Sequence, residues 1–511
     1  MLNGWTQPRY VAAFNTAGAA GHSVPLGTAG RNGGDRGGVL GVKVSRSGLF
    51  LAALALVVAG SGCFAEKSFP LDSAKVVRMT GSAGLNPGAA PPLSTRAWLA
   101  RCHGRLEGLL TRRGRRVLLT ERMTDASGLP VDVYAALGKR RSDLGLILRN
   151  FNALVHSYQA AAPGYAIDNP AAPWPGFEDR WIPVTDGVRL CGRLGFAERN
   201  GQIRTADCIV LLPGIWGDNG VVRTRDLAMG LRACGFHVLA LEIRGHGQTE
   251  ARYPEVSYTF GVLETLDLLK VSEWLQDTYP QVRRTGLIGF CWGGNIALLA
   301  AWYEGCGGHH PSITDEMSRR LDPVAPRAHF EAGVITFSTV LDWERIVDEA
   351  DRPHSKWLSL SLYAMQTVMA DRMRMKEHPE VNGNLRRLIA YEYAESPLSS
   401  GMPIVDGYRF LRFVPHCDLP WDDKLSSVRV PTLIVHAIND PFTMAQSVAD
   451  VMATTDNPNV AALILRGGGH IGFFPYNRDY AWSLIVSFFD PETGAAANHQ
   501  RLAEVRVLRT P

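Results

Sequence analysis

The sequence predicts an α/β protein: a mostly parallel, doubly wound sheet with an inserted helical cap and a helical N-terminal extension. Continuous apolar runs of strand length, typical of strands buried on both faces, alternate with stretches of helical spacing after about residue 180. A segment rich in Met, Trp, Tyr and Leu, about 343–428, has helical spacing and interrupts that alternation. Because open α/β sheets bind ligands at the carboxyl ends of their strands, this insertion is expected to cover a binding site there.

The predicted strands and helices follow directly from these runs. Two strand-like stretches at 181–184 and 188–190 are joined by an Asp-Gly turn. The buried strands are predicted at 208–212, 237–243, 332–338, 431–437 and 460–465, with one more beginning near 285. Helical spacing is clearest at 227–233 and 260–278.

The composition is that of a folded globular protein. Of 511 residues, 46% are apolar and 20% are charged, and the net charge is only +4. The Lys and Arg residues are dispersed, which argues against nucleic-acid binding. The eight cysteines have no C-x-x-C spacing, so neither a zinc ribbon nor a redox pair is indicated.

The N-terminal region predicts export. Residues 1–42 are rich in Gly, Ala and Asn and are expected to be disordered. Lys43 then precedes the apolar segment 49–59, and small residues lead to Cys63, an arrangement typical of a secretory signal. It also resembles a bacterial lipoprotein signal, in which Cys63 would be lipidated. An exported, periplasmic or membrane-anchored protein is expected, and a cytosolic or inner-membrane protein with one N-terminal anchor is the alternative.

Domain boundaries follow from changes in composition. The predicted order is a leader with the signal segment, a linker rich in Pro, Gly, Ala and Ser, a helical extension, the main α/β domain and a C-terminal tail: residues 1–63, 64–95, 96–178, 179–490 and 491–511.

A candidate nucleophile lies between the strand near 285 and the helix that follows. The sequence Gly289-Phe290-Cys291-Trp292-Gly293 fits the G-x-Nuc-x-G elbow, with Cys in place of the commoner Ser. Such an elbow is strained, and its glycines avoid collisions with the neighbouring backbone. The helix N-terminus would favour a thiolate on Cys291. The alternative is a buried structural cysteine in a Gly-rich turn.

A cysteine nucleophile needs a base and an acid that orients the base. Asp440 and His470 each follow a buried strand, in the order nucleophile, acid, histidine. Three loops at the same edge of the sheet therefore predict a Cys291–His470–Asp440 triad. Asp342 is the rival acid, and the rival histidines are His246, His416 and His436.

An oxyanion hole needs two backbone N–H donors. The first predicted donor is Trp292, directly after the nucleophile. The second is Ile215 in the Gly-rich loop after the strand at 208–212, and Trp216 is the near alternative.

These motifs resemble the α/β-hydrolase superfamily, and within it the YheT-like hydrolases, over about 180–490. The resemblance is carried by the elbow and four other motifs: Leu212-Pro213-Gly214, Arg244-Gly245-His246-Gly247, His436-Ala437-x-x-Asp440-Pro441-Phe442 and Gly468-Gly469-His470-Ile471-Gly472-Phe473. It implies hydrolysis of carboxylic esters on acyl or lipid-like substrates. Those enzymes carry Ser at the elbow, whereas the Cys here is similar to that of dienelactone hydrolases and polyhydroxyalkanoate synthases.

The expected function is therefore hydrolysis of an ester or thioester of an apolar acyl substrate through the triad, with no metal or organic cofactor. Membrane attachment would use Cys63 or the segment 49–59. One alternative is an acyltransferase of the polyhydroxyalkanoate-synthase type, although export would separate it from cytosolic acyl-CoA. The other is a non-catalytic binding protein with a hydrolase fold.

Overall fold

The computed structural model describes most of the chain from residue 159 onward and short stretches before it. The described residues are 70–71, 94–109, 156, 159–320, 328–351, 370–376, 385–395, 404–414, 423–440, 442–465, 468–470 and 473–489. The predicted leader with its segment 49–59 and Cys63, most of the predicted linker, His416 and the tail 491–511 lie outside them.

Within the described residues, eight strands form one sheet in the order β1-β2-β6-β5-β7-β8-β9-β10, and β3 and β4 form a separate small hairpin. In chain order the ten strands are β1 Glu178–Pro183, β2 Arg189–Gly195, β3 Glu198–Arg199, β4 Gln202–Ile203, β5 Ala206–Leu212, β6 His237–Glu242, β7 Val282–Phe290, β8 Gly333–Phe337, β9 Thr432–Ala437 and β10 Val460–Leu465.

The pairing confirms the predicted, mostly parallel sheet. β1 runs antiparallel to β2, and β2 runs antiparallel to β6. The pairs from β6 to β10 are all parallel. In the centre, Leu212 of β5 is paired with Gly289 of β7. The loops that follow these two strands therefore leave the sheet side by side.

Helices follow the strands as expected for a doubly wound sheet. They are α1 Thr95–Leu106, α2 Tyr165–Asp168, α3 Val222–Ala233, α4 Gly247–Arg252, α5 Val262–Thr278, α6 Trp292–Cys306, α7 Asp315–Arg320, α8 Trp343–Asp351, α9 Leu385–Ala394, α10 Ile404–Leu411, α11 Ala445–Met452 and α12 Phe473–Phe489.

Two apolar clusters form the core, one on each face of the sheet. Alternate residues of β5 enter different clusters, as the two-residue period of a strand requires: Val210 lies in one, and Ile209 and Leu211 lie in the other. Helices α5 and α6 contribute to the first cluster, and α3 and α12 contribute to the second. Burial on both faces explains why the central strands have continuous apolar sequences.

Helix α1 packs against the last strand and the last helix of the domain. Its Trp98 ring lies 5.4 Å from that of Phe488 in an edge-to-face arrangement. The Arg96 side chain donates hydrogen bonds to the carbonyl oxygens of Val460 and Thr455, at 3.0 and 2.8 Å. The helix begins at Thr95, which is the last residue of the predicted linker.

The described part of the predicted insertion is helical and includes α8, α9 and α10. Its buried Arg372 donates to Glu250 of α4 at 2.5 Å and to Glu392 at 3.0 Å. A buried charge needs such partners. The bond to Glu250 ties the insertion to the main domain, and the bond to Glu392 lies within the insertion. Within the described residues, every helix is either too short or too polar to cross a membrane.

Candidate active site

The turn between β7 and α6 has the geometry of a nucleophile elbow. Cys291 lies between the two elements with φ 54° and ψ −117°, a conformation that costs free energy for any residue with a side chain. A Cβ on Gly289 would lie 2.3 Å from the carbonyl oxygen of Gly293, and one on Gly293 would lie 2.1 Å from that of Pro213. Only glycine fits at either position, as the sequence pattern predicts.

Cys291 is held at the carboxyl edge of the sheet. Its backbone N–H donates to the carbonyl oxygen of Phe337, at the end of β8, over 2.9 Å. A Cβ on Gly214 would lie 3.1 Å from Cys291 Cβ and 3.8 Å from its Sγ. The loop after β5 therefore passes directly beside the thiol, which is partly exposed.

Asp440 and His470 form a close pair next to the elbow. His470 Nδ1 lies 3.0 and 3.1 Å from the two carboxylate oxygens of Asp440. The imidazole also lies close enough to Cys291 for the thiol to raise the pKa of His470. Since Nδ1 faces Asp440, Nε2 is the nitrogen available to the thiol. The three residues predicted as a triad are thus brought together, with the histidine in the middle.

Electrostatics at the pair favour a charged histidine and a charged carboxylate. Burial alone lowers the pKa of His470, but the charges of Asp440 and Cys291, with hydrogen bonds to both, raise it to about 10. Burial raises the pKa of Asp440, but the charge and hydrogen bond of His470 outweigh it and hold that pKa well below the usual value. Asp440 is therefore an anion throughout the neutral range, as an orienting acid must be.

Several contacts that position the pair could not be deduced from the sequence. Asn439 Oδ1 accepts a hydrogen bond from the backbone N–H of Gly469 at 2.9 Å, which fixes the loop before His470. The ring of Phe442 lies 4.7 Å from that of His470. Asp440 accepts backbone bonds from Phe442 and Thr443, so it also forms the Asx turn that its sequence allows.

The predicted oxyanion donors lie on the two segments that meet at Cys291. Trp292 is the first residue of α6, and Ile215 follows Gly214 in the loop after β5. Among the described residues, neither backbone N–H donates a hydrogen bond to the protein, and the same holds for Trp216. The Trp292 ring is fixed by its own bond to the carbonyl oxygen of Phe260 at 2.5 Å.

The rival side chains that the structure describes have other bonding partners. Asp342 accepts from the backbone N–H of Arg345 at 3.0 Å, at the start of α8. His246 Nδ1 lies 2.7 Å from the carbonyl oxygen of Arg244, and burial lowers the pKa of His246 to about 4. His436 lies within β9, as predicted, and its Nε2 is 2.9 Å from Thr443 Oγ1. In the part of the chain that the structure describes, no cluster of three or more His, Cys, Asp or Glu could hold a metal ion.

Comparison with known proteins identifies the fold. Residues 207–304 match the family described as alpha/beta hydrolase fold. Together with the strand order and the elbow, this match gives the chain an α/β-hydrolase fold.

One curated relative is a probable 2-oxo-3-(5-oxofuran-2-ylidene)propanoate lactonase from Bradyrhizobium sp., 30% identical over 135 residues. The match covers 24% of this chain and 50% of the relative, so the chain spans about half the length of that protein.

Similar solved structures have low sequence identity. The Pyrococcus furiosus esterase Pf2001 is 16% identical with a TM-score of 0.39, over 63% of this chain and 96% of that one. A 2,6-dihydroxy-pseudo-oxynicotine hydrolase is 15% identical with a TM-score of 0.40, over 62% and 70%.

Proposed function

We propose that this protein hydrolyses carboxylic ester or thioester bonds of an apolar acyl substrate through Cys291, His470 and Asp440. The observation that carries the proposal is the position of His470, which lies beside the strained elbow of Cys291 while its Nδ1 is 3.0 Å from the buried carboxylate of Asp440. That is the geometry required of a general base and the acid that orients it. The lactonase name of the curated relative supports an ester-type bond as the target.

The reaction proceeds in two halves. In the resting pair His470 already holds the thiol proton on Nε2 as an imidazolium, and the Cys291 thiolate sulfur attacks the substrate carbonyl carbon to form a tetrahedral oxyanion. The N–H groups of Trp292 and Ile215 stabilise that oxyanion, and the N-terminus of α6 adds its dipole. The oxyanion collapses, the bond to the leaving group breaks, and His470 protonates that group. Water, deprotonated by His470, then attacks the acyl thioester and releases the acid and the free thiol.

The cysteine widens the range of substrates. A thiol nucleophile suits lactones and thioesters as well as simple esters, and we include both classes in the proposal. Within the superfamily, we propose a YheT-like hydrolase with a cysteine elbow, on the basis of the motifs at Asp440 and His470.

The test measures hydrolysis of p-nitrophenyl esters from acetate to palmitate and of α-angelica lactone, a five-membered enol lactone. It uses the wild type and the Cys291→Ala and His470→Ala variants. We expect both variants to lose at least about a thousandfold in kcat, since neither residue of a triad works without the other. The chain-length optimum then gives the size of the acyl pocket.

Cys306→Ala is the matched control, because Cys306 is a partly exposed free thiol at the far end of the same helix. Its kcat should equal that of the wild type. Activity that survives Cys291→Ala would rule out the cysteine mechanism. A wild type that acylates Cys291 but releases the acyl group only to an added thiol such as coenzyme A would indicate an acyltransferase, and one that shows no acylation would indicate a binding protein.

A further inference from the structure

A second histidine lies behind the acid of the proposed triad, connected to it by one hydroxyl group. His436 Nε2 is 2.9 Å from Thr443 Oγ1, and Thr443 Oγ1 is 2.7 Å from Asp440 Oδ2. His436 is fully buried, and Asp440 and Thr443 are 5% and 2% exposed. These two contacts therefore connect His436 to the Asp440 carboxylate without involving His470.

The direction of the bonds follows from counting protons. Asp440 is ionised and can only accept, so the single hydroxyl proton of Thr443 is donated to Oδ2, at 2.7 Å, rather than to the carbonyl oxygen of Ser338, at 3.4 Å. Thr443 Oγ1 must then accept the proton on His436 Nε2. Burial lowers the pKa of His436 despite the nearby charge of Asp440, so the ring is neutral with its proton on Nε2. His436 Nδ1 then carries no proton, so it accepts from the backbone N–H of Ala437 at 2.8 Å and donates nothing to the carbonyl oxygen of Ala437, 3.0 Å away.

These bonds determine which way the carboxylate faces. Asp440 Oδ1 already accepts from the backbone N–H groups of Phe442 and Thr443, at 2.9 and 3.0 Å. The Thr443 hydroxyl provides the corresponding donor for Oδ2. With both oxygens held, the plane of the carboxylate is fixed and both oxygens remain within 3.1 Å of His470 Nδ1.

We propose that His436 is a positioning residue which, through Thr443, holds the Asp440 carboxylate in the orientation that binds His470. This inference rests on the proposed function for its effect on turnover, but the orientation itself can be measured without turnover. His436 contacts no reacting atom in this scheme and acts only through the hydroxyl group.

The test uses matched pairs of variants. Thr443→Val removes the hydroxyl at nearly constant volume and Thr443→Ser retains it; His436→Leu removes the donor and His436→Gln replaces it with an amide N–H. We expect T443V and H436L to lose about 10- to 100-fold in kcat with little change in KM, as loss of a hydrogen bond to a charged group predicts. T443S and H436Q should recover most of that loss.

A double-mutant cycle separates positioning from a general loss of packing. In an Asp440→Asn background, H436L should lower kcat no further, because the carboxylate it orients is already gone. Independent losses that multiply would overturn the proposal. Thr455→Val, which removes another buried hydroxyl, is the control and should leave kcat unchanged.

Proton NMR of histidine-labelled protein provides the readout that does not depend on activity. The His470 Nδ1–H signal, assigned by its loss in Asp440→Asn, should move in H436L and T443V and return in H436Q and T443S. An unchanged signal in H436L, with folding verified by urea unfolding, would overturn the positioning role. A signal that moves as expected in a protein without esterase activity would instead retain this role and reject the proposed function.

Discussion

Asp440 and Glu242 are both buried carboxylates, yet their charges are controlled in opposite ways. Glu242 ends β6 and is 2% exposed; Asp440 follows β9 and is 5% exposed. Glu242 accepts backbone N–H bonds from Asn219 and Gln248, at 2.9 and 2.7 Å, just as Asp440 accepts two from its own turn. Position, burial and backbone bonding are therefore nearly the same.

The neighbouring charges differ. Burial raises the pKa of both groups, but the positive charge and hydrogen bond of His470 reverse this for Asp440. Beside Glu242 the largest effect of a charged neighbour is the like charge of Asp218, which outweighs that of Arg193, and the pKa of Glu242 rises to about 7. Burial alone therefore does not decide the charge of a carboxylate at the edge of this sheet; the sign of its neighbour does.

The largest expected effect tests the Asp440 side of this comparison. Asp440→Asn keeps the shape but removes the charge, so His470 loses the group that orients and stabilises its charged form. We expect kcat to fall by about 10³- to 10⁴-fold. Steady-state kinetics should show a much smaller fall in kcat for Glu242→Gln, because part of the Glu242 population is already neutral near pH 7. Comparable losses in the two variants would refute the distinction.

The next effect is on stability and tests the Glu242 side. Between its ordinary pKa of 4.5 and its folded value of about 7, the folded state keeps a proton that the unfolded chain has released. The contribution of this retained proton to the free energy of unfolding is complete below pH 4.5. It is lost as the pH rises through about 7, by about 3 kcal/mol in total. Glu242→Gln removes this titration.

Urea unfolding of both proteins at pH 4.5, 6 and 8 measures that contribution as a difference. Relative to the wild type, Glu242→Gln should become steadily more stable as the pH rises. A constant difference between the two proteins would mean that Glu242 titrates normally.

A smaller effect comes from the glycine that lies against Glu242. Gly247 has φ +52°, and a Cβ there would lie 2.6 Å from the carboxylate carbon of Glu242. We expect Gly247→Ala to lower the free energy of unfolding by about 2 kcal/mol, through backbone strain and a displaced carboxylate. Gly307→Ala is the control, because Gly307 has φ +62° with no atom within 4 Å of the added Cβ. If both variants lose the same amount, contact with Glu242 contributes nothing.

The smallest effect isolates the like charge. Asp218→Asn removes the negative charge that raises the pKa of Glu242. The stability decline assigned to Glu242 should then move to lower pH by less than about one unit. The measurement repeats the pH series on Asp218→Asn with and without Glu242→Gln. A shift to higher pH would show that Asp218 acts through its bonds to His156 and Gly220 rather than through its charge.

The sequence predicted the buried centre of the fold closely. The apolar run 460–465 has the same bounds as β10, and the run 431–437 differs from β9 by one residue. Such strands are covered on both faces, so their residues are uniformly apolar and their ends are clear. The apolar pattern does not predict the small hairpin of β3 and β4, because each strand has only two residues. The turn residues Asn200 and Gly201, with φ of 54° and 75°, are the signal that indicates it.

At the site, the order of the loops was enough to select Cys291, Asp440 and His470, because parallel strands bring their carboxyl ends to one edge. The contacts of Asn439 and Thr443 were not predictable. Asn and Thr beside an Asp-Pro sequence are ordinary turn residues, and only the folded chain shows which side chains reach the acid and the histidine loop. The catalytic roles, the export signal and Cys63 stay predictions.

Helix α1 covers part of an open edge of the sheet. β10 is the last strand of the sheet, and an edge strand can pair with the edge of another copy. The backbone N–H of Arg96 donates a hydrogen bond to the carbonyl oxygen of Pro458, and the Arg96 side chain donates one to the carbonyl oxygen of Val460. Two backbone acceptors at the start of this edge are thus already used within the chain. The predicted helical extension therefore leaves less of this edge open to pairing with another strand.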